Sequence, residues 1–226
     1  MDKALEEYQN KAIKLAVIGN SGVGKSSFIN ALRGLENNDA KAAKTGAIET
    51  TMAPHWYPYP KNPLITLWDL PGIGSTKYPD LKVFCKTNDL KEYDEFVIIT
   101  ATRFTENDVK LAKKLKSISK PFLFIRTKID IDCKNEEKKA LTEEELLKKI
   151  KENCFINLKG LLLGGDSDIY LISNNHRNKW DFPRLVEAIL NKLPLDKQVC
   201  FTFSMYIVSE SILKEKVKRL RGLYFP

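Results

Sequence analysis

Little in this chain speaks for thiolate metal chemistry, export or membrane insertion. Its 226 residues include four cysteines and two histidines. Cys85, Cys133, Cys154 and Cys200 are scattered with no CxxC pair, and neither His55 nor His176 lies beside a cysteine. A structural zinc site needs clustered ligands, so none is expected, and the thiols read as reduced and mostly buried. No apolar run approaches the roughly 20 residues that a membrane span requires. The opening Met1-Asp2-Lys3-Ala4-Leu5-Glu6-Glu7 is acidic and lacks an apolar stretch, which argues against a secretory signal, and Asp2 argues against N-myristoylation. The expected location is therefore cytoplasmic. The net charge is +8, yet lysines such as Lys110, Lys113, Lys114 and Lys116 recur as a solvated helical face does. No nucleic-acid reading motif accompanies them, so no nucleic-acid partner is expected.

What is present is a folded composition, 43% hydrophobic with 29% charged residues, enough for one sizeable core. Residues 4–10 read as a short helical lead-in. Ile13 to Ile18 reads as a strand ending at Gly19, and Lys25 to Arg33 as a helix with Phe28, Ile29 and Leu32 on one side and Gly34 as its stop. The polar stretch from Glu36 to Thr51 reads as a long functional loop. Residues 55–59 read as an edge strand, because prolines at 54, 58 and 60 disfavour a central one. Strands are expected at 64–68, 96–99, 122–125 and 169–172, and helices at 105–118, 143–158 and 182–193. Thr105 with Asp108 forms an N-cap pair, and Val109, Leu111, Ala112 and Leu115 point inward. Alternating strands and helices imply an α/β fold with a mostly parallel sheet covered on both faces, whose ligands bind at the strands' carboxyl ends.

The loops at those ends carry the chemistry. Asn20-Ser21-Gly22-Val23-Gly24-Lys25-Ser26 after Gly19 satisfies GxxxxGK followed by Ser, between a strand and a helix where the mechanism needs it. Glycines let successive backbone N–H groups close on phosphate oxygens, and the helix N-terminus adds a favourable field. Lys25 would bridge the β- and γ-phosphates, Ser26 would bind Mg²⁺, and Ser27 lies on the α-phosphate side. Asp69-Leu70-Pro71-Gly72 follows a strand. There Asp69 would reach the Mg²⁺ shell and the Gly72 N–H would sense the γ-phosphate. Thr127-Lys128-Ile129-Asp130 follows another strand. The Asp130 carboxylate could accept two hydrogen bonds from the guanine edge, which adenine cannot offer, while Lys128 covers the base plane. Ser173-Asn174, beyond the next strand, would bring a backbone N–H to the guanine carbonyl. The fold expected is a P-loop GTPase domain. A weaker reading, an ATP-using P-loop kinase, is opposed by Asp130.

The stretch from Gly19 to Leu35, Lys44-Thr45-Gly46, Glu49 to Met52, the string WDLPGIGST from Trp68 to Thr76, Ala101-Thr102-Arg103-Phe104 and Arg126-Thr127-Lys128 resemble the immunity-related (interferon-inducible) GTPases. The resemblance runs from about residue 12 to about 195. It implies a dynamin-like protein that binds GTP or GDP with Mg²⁺ and pairs into homodimers or homo-oligomers through its nucleotide face. It also implies action at internal membranes in cell-autonomous immunity. Lys25 matches the catalytically intact branch of the family. Thr45, Gly46, Glu49 and Thr51 fall in switch I, with Thr51 the preferred Mg²⁺-sensing residue and Thr45 the alternative. Glu49 and Arg103 match the family's interface carboxylate and interface arginine, and with Lys25 form the implied catalytic set.

Ile73 occupies the place where many small GTPases carry a water-orienting glutamine. An alkyl group cannot hold a water, so hydrolysis is expected to be slow until Arg103, brought in by self-association, offsets the developing charge. Such an arginine is worth roughly 10³–10⁵ in rate. The competing reading pairs Arg103 with a nearby acid such as Glu106. The domains expected are a lead-in at 1–11, the GTPase domain at 12–195 and a C-terminal helical extension at 196–226, shorter than the family's helical domain. In that extension Ile212, Leu213, Val217 and Leu220 face one way, with Lys214, Lys216, Lys218, Arg219 and Arg221 as its basic partners. Such a helix packs on the domain, lies on a membrane or docks a partner. Two functions remain open: a self-activating GTPase, or a nucleotide-regulated binding module with negligible turnover.

Overall fold

Short runs rich in Val, Ile, Leu and Phe separate segments with helical spacing, and the chain folds accordingly as strand and helix in alternation. The computed structural model describes residues 13–46, 51, 53–60, 62–101, 104–136, 141–162 and 165–192. In chain order these form β1 (Ile13–Gly19), α1 (Lys25–Leu32), β2 (His55–Tyr59), β3 (Asn62–Asp69), α2 (Leu81–Thr87), β4 (Glu95–Ala101) and α3 (Glu106–Ser117). They continue with β5 (Phe122–Thr127), α4 (Ile129–Glu136), α5 (Glu143–Asn157), β6 (Ile169–Leu171) and α6 (Phe182–Lys192). The expected lead-in and C-terminal extension lie outside the described residues.

One six-stranded sheet runs in the order β2-β3-β1-β4-β5-β6. All neighbours are parallel except β2, which pairs antiparallel with β3 at the edge. Pro58 sits in that edge strand, where a missing N–H costs no ladder bond on the open side. Val17 of β1 stands level with Asp69 of β3 and Val97 of β4. The carboxyl ends of the central strands therefore finish along one rim, and the motif loops all leave from it.

Period-two alternation divides β1 between two cores. Leu15 and Val17 pack with Phe28, Ile29 and Leu32 of α1 and with Phe182, Leu185 and Val186 of α6. Ala16 and Ile18 pack with Phe84 of α2, Leu111 and Leu115 of α3 and Cys154 of α5. Every residue of β4 is buried, as a central parallel strand requires. Each large side chain so buried stabilises the fold by about 1.5–3 kcal/mol.

The capping box at Thr105 and Asp108 forms as the spacing predicts. Val109 is only half-buried, and Asp108 takes the inner place, accepting bonds from the Thr100 and Thr105 hydroxyls at 3.2 and 2.9 Å. The thiols are less buried than expected: Cys154 is buried, but Cys85 and Cys133 are half-buried. Two helices were not anticipated. In α2, Asp80 caps the first turn by accepting from the Val83 N–H at 2.9 Å. In α4, the segment expected to carry Asp130 as part of a loop continues as two helical turns.

Candidate nucleotide site

The loop between β1 and α1 turns into its helix at Gly24, whose φ of 97° is left-handed and suits glycine. No side chain caps α1 and no acid occupies its first turn, so its leading amides and positive dipole end stay available to an anion. Lys25, 8% exposed, donates to the carbonyls of Asn20 at 3.0 Å and Gly19 at 3.4 Å. Its ammonium is thus held inside the loop that would wrap a phosphate. Asn20 donates through Nδ2 to Thr105 Oγ1 at 2.9 Å. Ser21 and Gly22 are exposed, Val23 is buried, and Ser27 is half-buried on α1.

Beside Lys25, three oxygens converge from separate elements. The hydroxyls of Ser26 and Thr51 donate to Asp69 Oδ2 at 2.5 and 3.1 Å. Asp69 has no exposed surface, and its Oδ1 has no hydrogen-bond partner. Burial pushes the Asp69 carboxyl above its usual range, opposed by the Ser26 bond, the Lys25 charge and the Thr51 bond. A buried carboxylate with an unsatisfied oxygen beside two hydroxyls fits a hard cation. No group of three His, Cys, Asp or Glu side chains among the described residues could hold a metal ion. Ser26, Thr51 and Asp69 would therefore supply part of a Mg²⁺ shell, with phosphate and water completing it, as Mg²⁺ prefers.

The segment after Asp69 lies against the phosphate loop. Leu70 and Ile73 donate their N–H groups to Val17 and Gly19 carbonyls at 3.1 and 3.3 Å. A Cβ on Gly72 would stand 2.7 Å from both the N and the Cα of Ser21, so only glycine permits this approach. Ile73 is 2% exposed and belongs to the core beside Ile18 and Phe84. Its side chain serves packing, so the position after Gly72 presents no group to a water.

The base-side loops are clasped to the same phosphate loop. Thr127 Oγ1 donates to the Val23 carbonyl at 2.7 Å, and Lys128 Nζ to the Gly22 carbonyl at 3.0 Å. Asn174 Nδ2 donates to the Gly24 carbonyl at 3.1 Å. Lys128 takes a left-handed φ of 63°, which turns the chain from β5 into α4. Asp130 follows, half-buried, with Asn175 Nδ2 3.4 Å from its Oδ2. Ser173 is buried, and its hydroxyl accepts from the Asn175 N–H at 3.2 Å.

The sequence reading missed the pair that anchors this loop. Arg126 donates to Asp132 at 2.6 Å and to the Thr127 carbonyl at 2.8 Å, from almost complete burial. For both partners burial is the largest influence, lowering Arg126 and raising Asp132 against their mutual attraction. The pair therefore fixes geometry more than it adds stability. An arginine one residue before the end of a buried strand and six before an acid was its available signal.

Switch I is partly pinned. Asn30 of α1 bonds both the N–H and the carbonyl of Ala43, at 2.6 and 2.9 Å. Arg33 reaches the Lys41 and Pro58 carbonyls at 2.7 and 3.0 Å. Beyond that anchor Thr45 and Gly46 are exposed, whereas Thr51 reaches Asp69. Glu49 and Arg103 lie outside the described residues. Glu106, the acid considered for Arg103, pairs with Lys110 at 2.8 Å.

A phosphate loop, a buried hydroxyl–carboxylate cluster and two base-side loops on one rim of this sheet define the P-loop GTPase fold. Solved structures with that fold include Toc33 from Arabidopsis thaliana in complex with GDP and Mg²⁺, at TM-score 0.58 and 17% identity over 83% of this chain and 86% of that one. Aquifex aeolicus Era bound to GDP.AlF4- gives 0.52 and 23%, covering 81% of this chain and 57% of that one. Residues 1–224 match the family described as Interferon-inducible GTPase (IIGP), and the chain belongs to that family. It is 41% identical to the T-cell-specific guanine nucleotide triphosphate-binding protein 2 of Mus musculus over 100% of this chain and 54% of the relative. With interferon-inducible GTPase 1 of Mus musculus the identity is 38%, over 96% of this chain and 53% of the relative. The chain spans about half the length of the curated relatives it matches.

Proposed function

We propose that this chain binds GTP and GDP with Mg²⁺, hydrolyses GTP to GDP and phosphate, and is activated by self-association through its nucleotide face. The observation that carries the reading is the convergence of Ser26, Thr51 and Asp69 beside Lys25, in a loop clasped by Thr127, Lys128 and Asn174. Bound Mg²⁺ would neutralise phosphate charge and orient the terminal phosphate. Lys25 would leave its carbonyl partners for phosphate oxygens, the amides of residues 22–26 would cradle them, and the Gly72 N–H would face the terminal phosphate. Asp130 would select guanine. The work expected is cell-autonomous immune defence, in keeping with the family. The cytoplasm, peripherally at internal membranes, is the proposed location; no helix among the described residues is long and apolar enough to cross a membrane.

The buried Ile73 motivates the self-association. With no side chain there to orient water, a second molecule would supply what is missing, and Glu49 and Arg103 are the proposed interface residues. Turnover per molecule should therefore rise from nanomolar to high micromolar protein, and Arg103→Ala should flatten the rise. A flat profile for the parent chain would reject activation by self-association. The same Ile73 favours a second reading, a nucleotide-regulated binding module with negligible turnover. Single-turnover hydrolysis that stays slow at every concentration would select it.

A further inference from the structure

A cavity of about 630 Å³ opens between α2 and α3, away from the phosphate loop. Lysines line it in two i,i+4 pairs on facing helices, Lys82 with Lys86 on α2 and Lys110 with Lys114 on α3. Leu81 and the half-buried Cys85 give its apolar floor. Lys110 is ion-paired with Glu106, and the acid at the groove's end, Asp80, is engaged as the α2 cap. No carboxylate among the described residues pairs with Lys82, Lys86 or Lys114. Like charges held four residues apart on a helix are unfavourable, so the three lysines without an acid, Lys82, Lys86 and Lys114, favour an incoming counter-charge. Lysines spread along two helices with Leu81 and Cys85 between them suit alternating acidic and apolar side chains better than a single compact anion.

Both walls of the groove are tied to the nucleotide site. The chain entering α2 is closed by the Gly74 N–H to the Tyr78 carbonyl at 2.8 Å and by the Tyr78 N–H to Ser75 Oγ at 3.2 Å, directly after Gly72. The other wall begins at Thr105, which accepts from Asn20 of the phosphate loop.

We propose that the groove between α2 and α3 docks an acidic segment of a partner protein, and that its grip depends on the nucleotide bound. The docking goes beyond the proposed hydrolase activity, and only the nucleotide dependence rests on that reading. The test is fluorescence anisotropy of a labelled Glu-Glu-Leu repeat peptide of nine residues, titrated with the full chain alone, with saturating GDP and with a non-hydrolysable GTP analogue. Salt-sensitive binding is expected, weakened about tenfold or more in K82E/K114E. The same charge change at exposed Lys148 and Lys149 on α5, K148E/K149E, should leave it near the parent value. Should the reversal variant melt early, K82Q/K114Q carries the comparison. Absence of peptide binding, equal loss in both reversals, or lysine-dependent binding of phosphatidylserine vesicles in place of the peptide would overturn the docking site. Equal peptide affinity in the two nucleotide states would overturn the coupling alone. A chain that binds peptide but no guanine nucleotide would instead sink the proposed hydrolase activity.

Discussion

Asp69 concentrates the charge of the candidate site in one buried carboxyl. Without a cation, folding must remove this group from water while two hydroxyl bonds and the Lys25 charge only partly compensate. Its folded pKa lies above the ordinary value of 3.8. Its contribution is therefore fully present below the unfolded pKa and is lost as pH rises through the raised folded value. The metal-free protein should gain stability from Asp69 on acidification through that window, and Asp69→Asn should remove this part of the pH dependence. Melts in chelator across pH check the sign. The substitution should also abolish the Mg²⁺-dependent gain in GTP affinity, a coupling of roughly 5–150-fold for linked ligands. Titration of a fluorescent GTP analogue with and without Mg²⁺ measures it, and an unchanged Mg²⁺ effect would remove Asp69 from the metal shell.

At the scale of elements, the β5–α4 junction shows why a costly ion pair is kept. Arg126 and Asp132 lie at 6% and 16% side-chain exposure, where desolvation opposes attraction. Yet this pair and the left-handed Lys128 set the direction in which α4 leaves the sheet, and with it the position of Asp130. Arg126→Met should destabilise the fold by about 2 kcal/mol, because the half-buried Asp132 loses its partner. Arg126→Met with Asp132→Leu should recover most of that loss while guanine affinity stays low. Urea unfolding and nucleotide titration of both variants separate the two effects. Recovery of affinity along with stability would show that the pair does not position the base loop.

This junction also marks how far the sequence could be read. The capping box at Thr105 and Asp108 spans three residues, and the apolar runs of β4 and β5 are local and continuous, so spacing reveals them. In α4 the segment IDIDCKNE buries only Ile129, which leaves too little apolar periodicity to signal a helix. Asn174 and Gly24 lie 150 residues apart, and no local pattern encodes such a bond. The order of the phosphate, metal and base motifs was legible because each must end a strand. The clasp between them was not, because it exists only after the sheet forms.

Across the whole molecule, that clasp would make a bound nucleotide a structural element. The phosphate loop leaves β1, the third strand of the sheet. It is bonded by side chains from the end of β5 and the loop after β6 on one side and carries the β3 loop on the other. A ligand filling this junction would be held by residues from both halves of the sheet at once, so its binding free energy should appear in global unfolding. At a hundred times its dissociation constant a ligand adds about 2.7 kcal/mol to stability. For a domain of this size that corresponds to a rise of roughly 5–10 °C in Tm. Mg²⁺ with GDP should produce such a shift in one cooperative transition, while Mg²⁺ with ADP at equal concentration should leave the melt unchanged. Asp130→Asn should reduce the GDP shift and raise the shift given by xanthosine diphosphate, because the amide offers a donor where the carboxylate only accepts. An ADP shift equal to that of GDP would refute guanine selection while leaving the phosphate loop intact, so the base-side and phosphate-side halves of the site fail or stand separately.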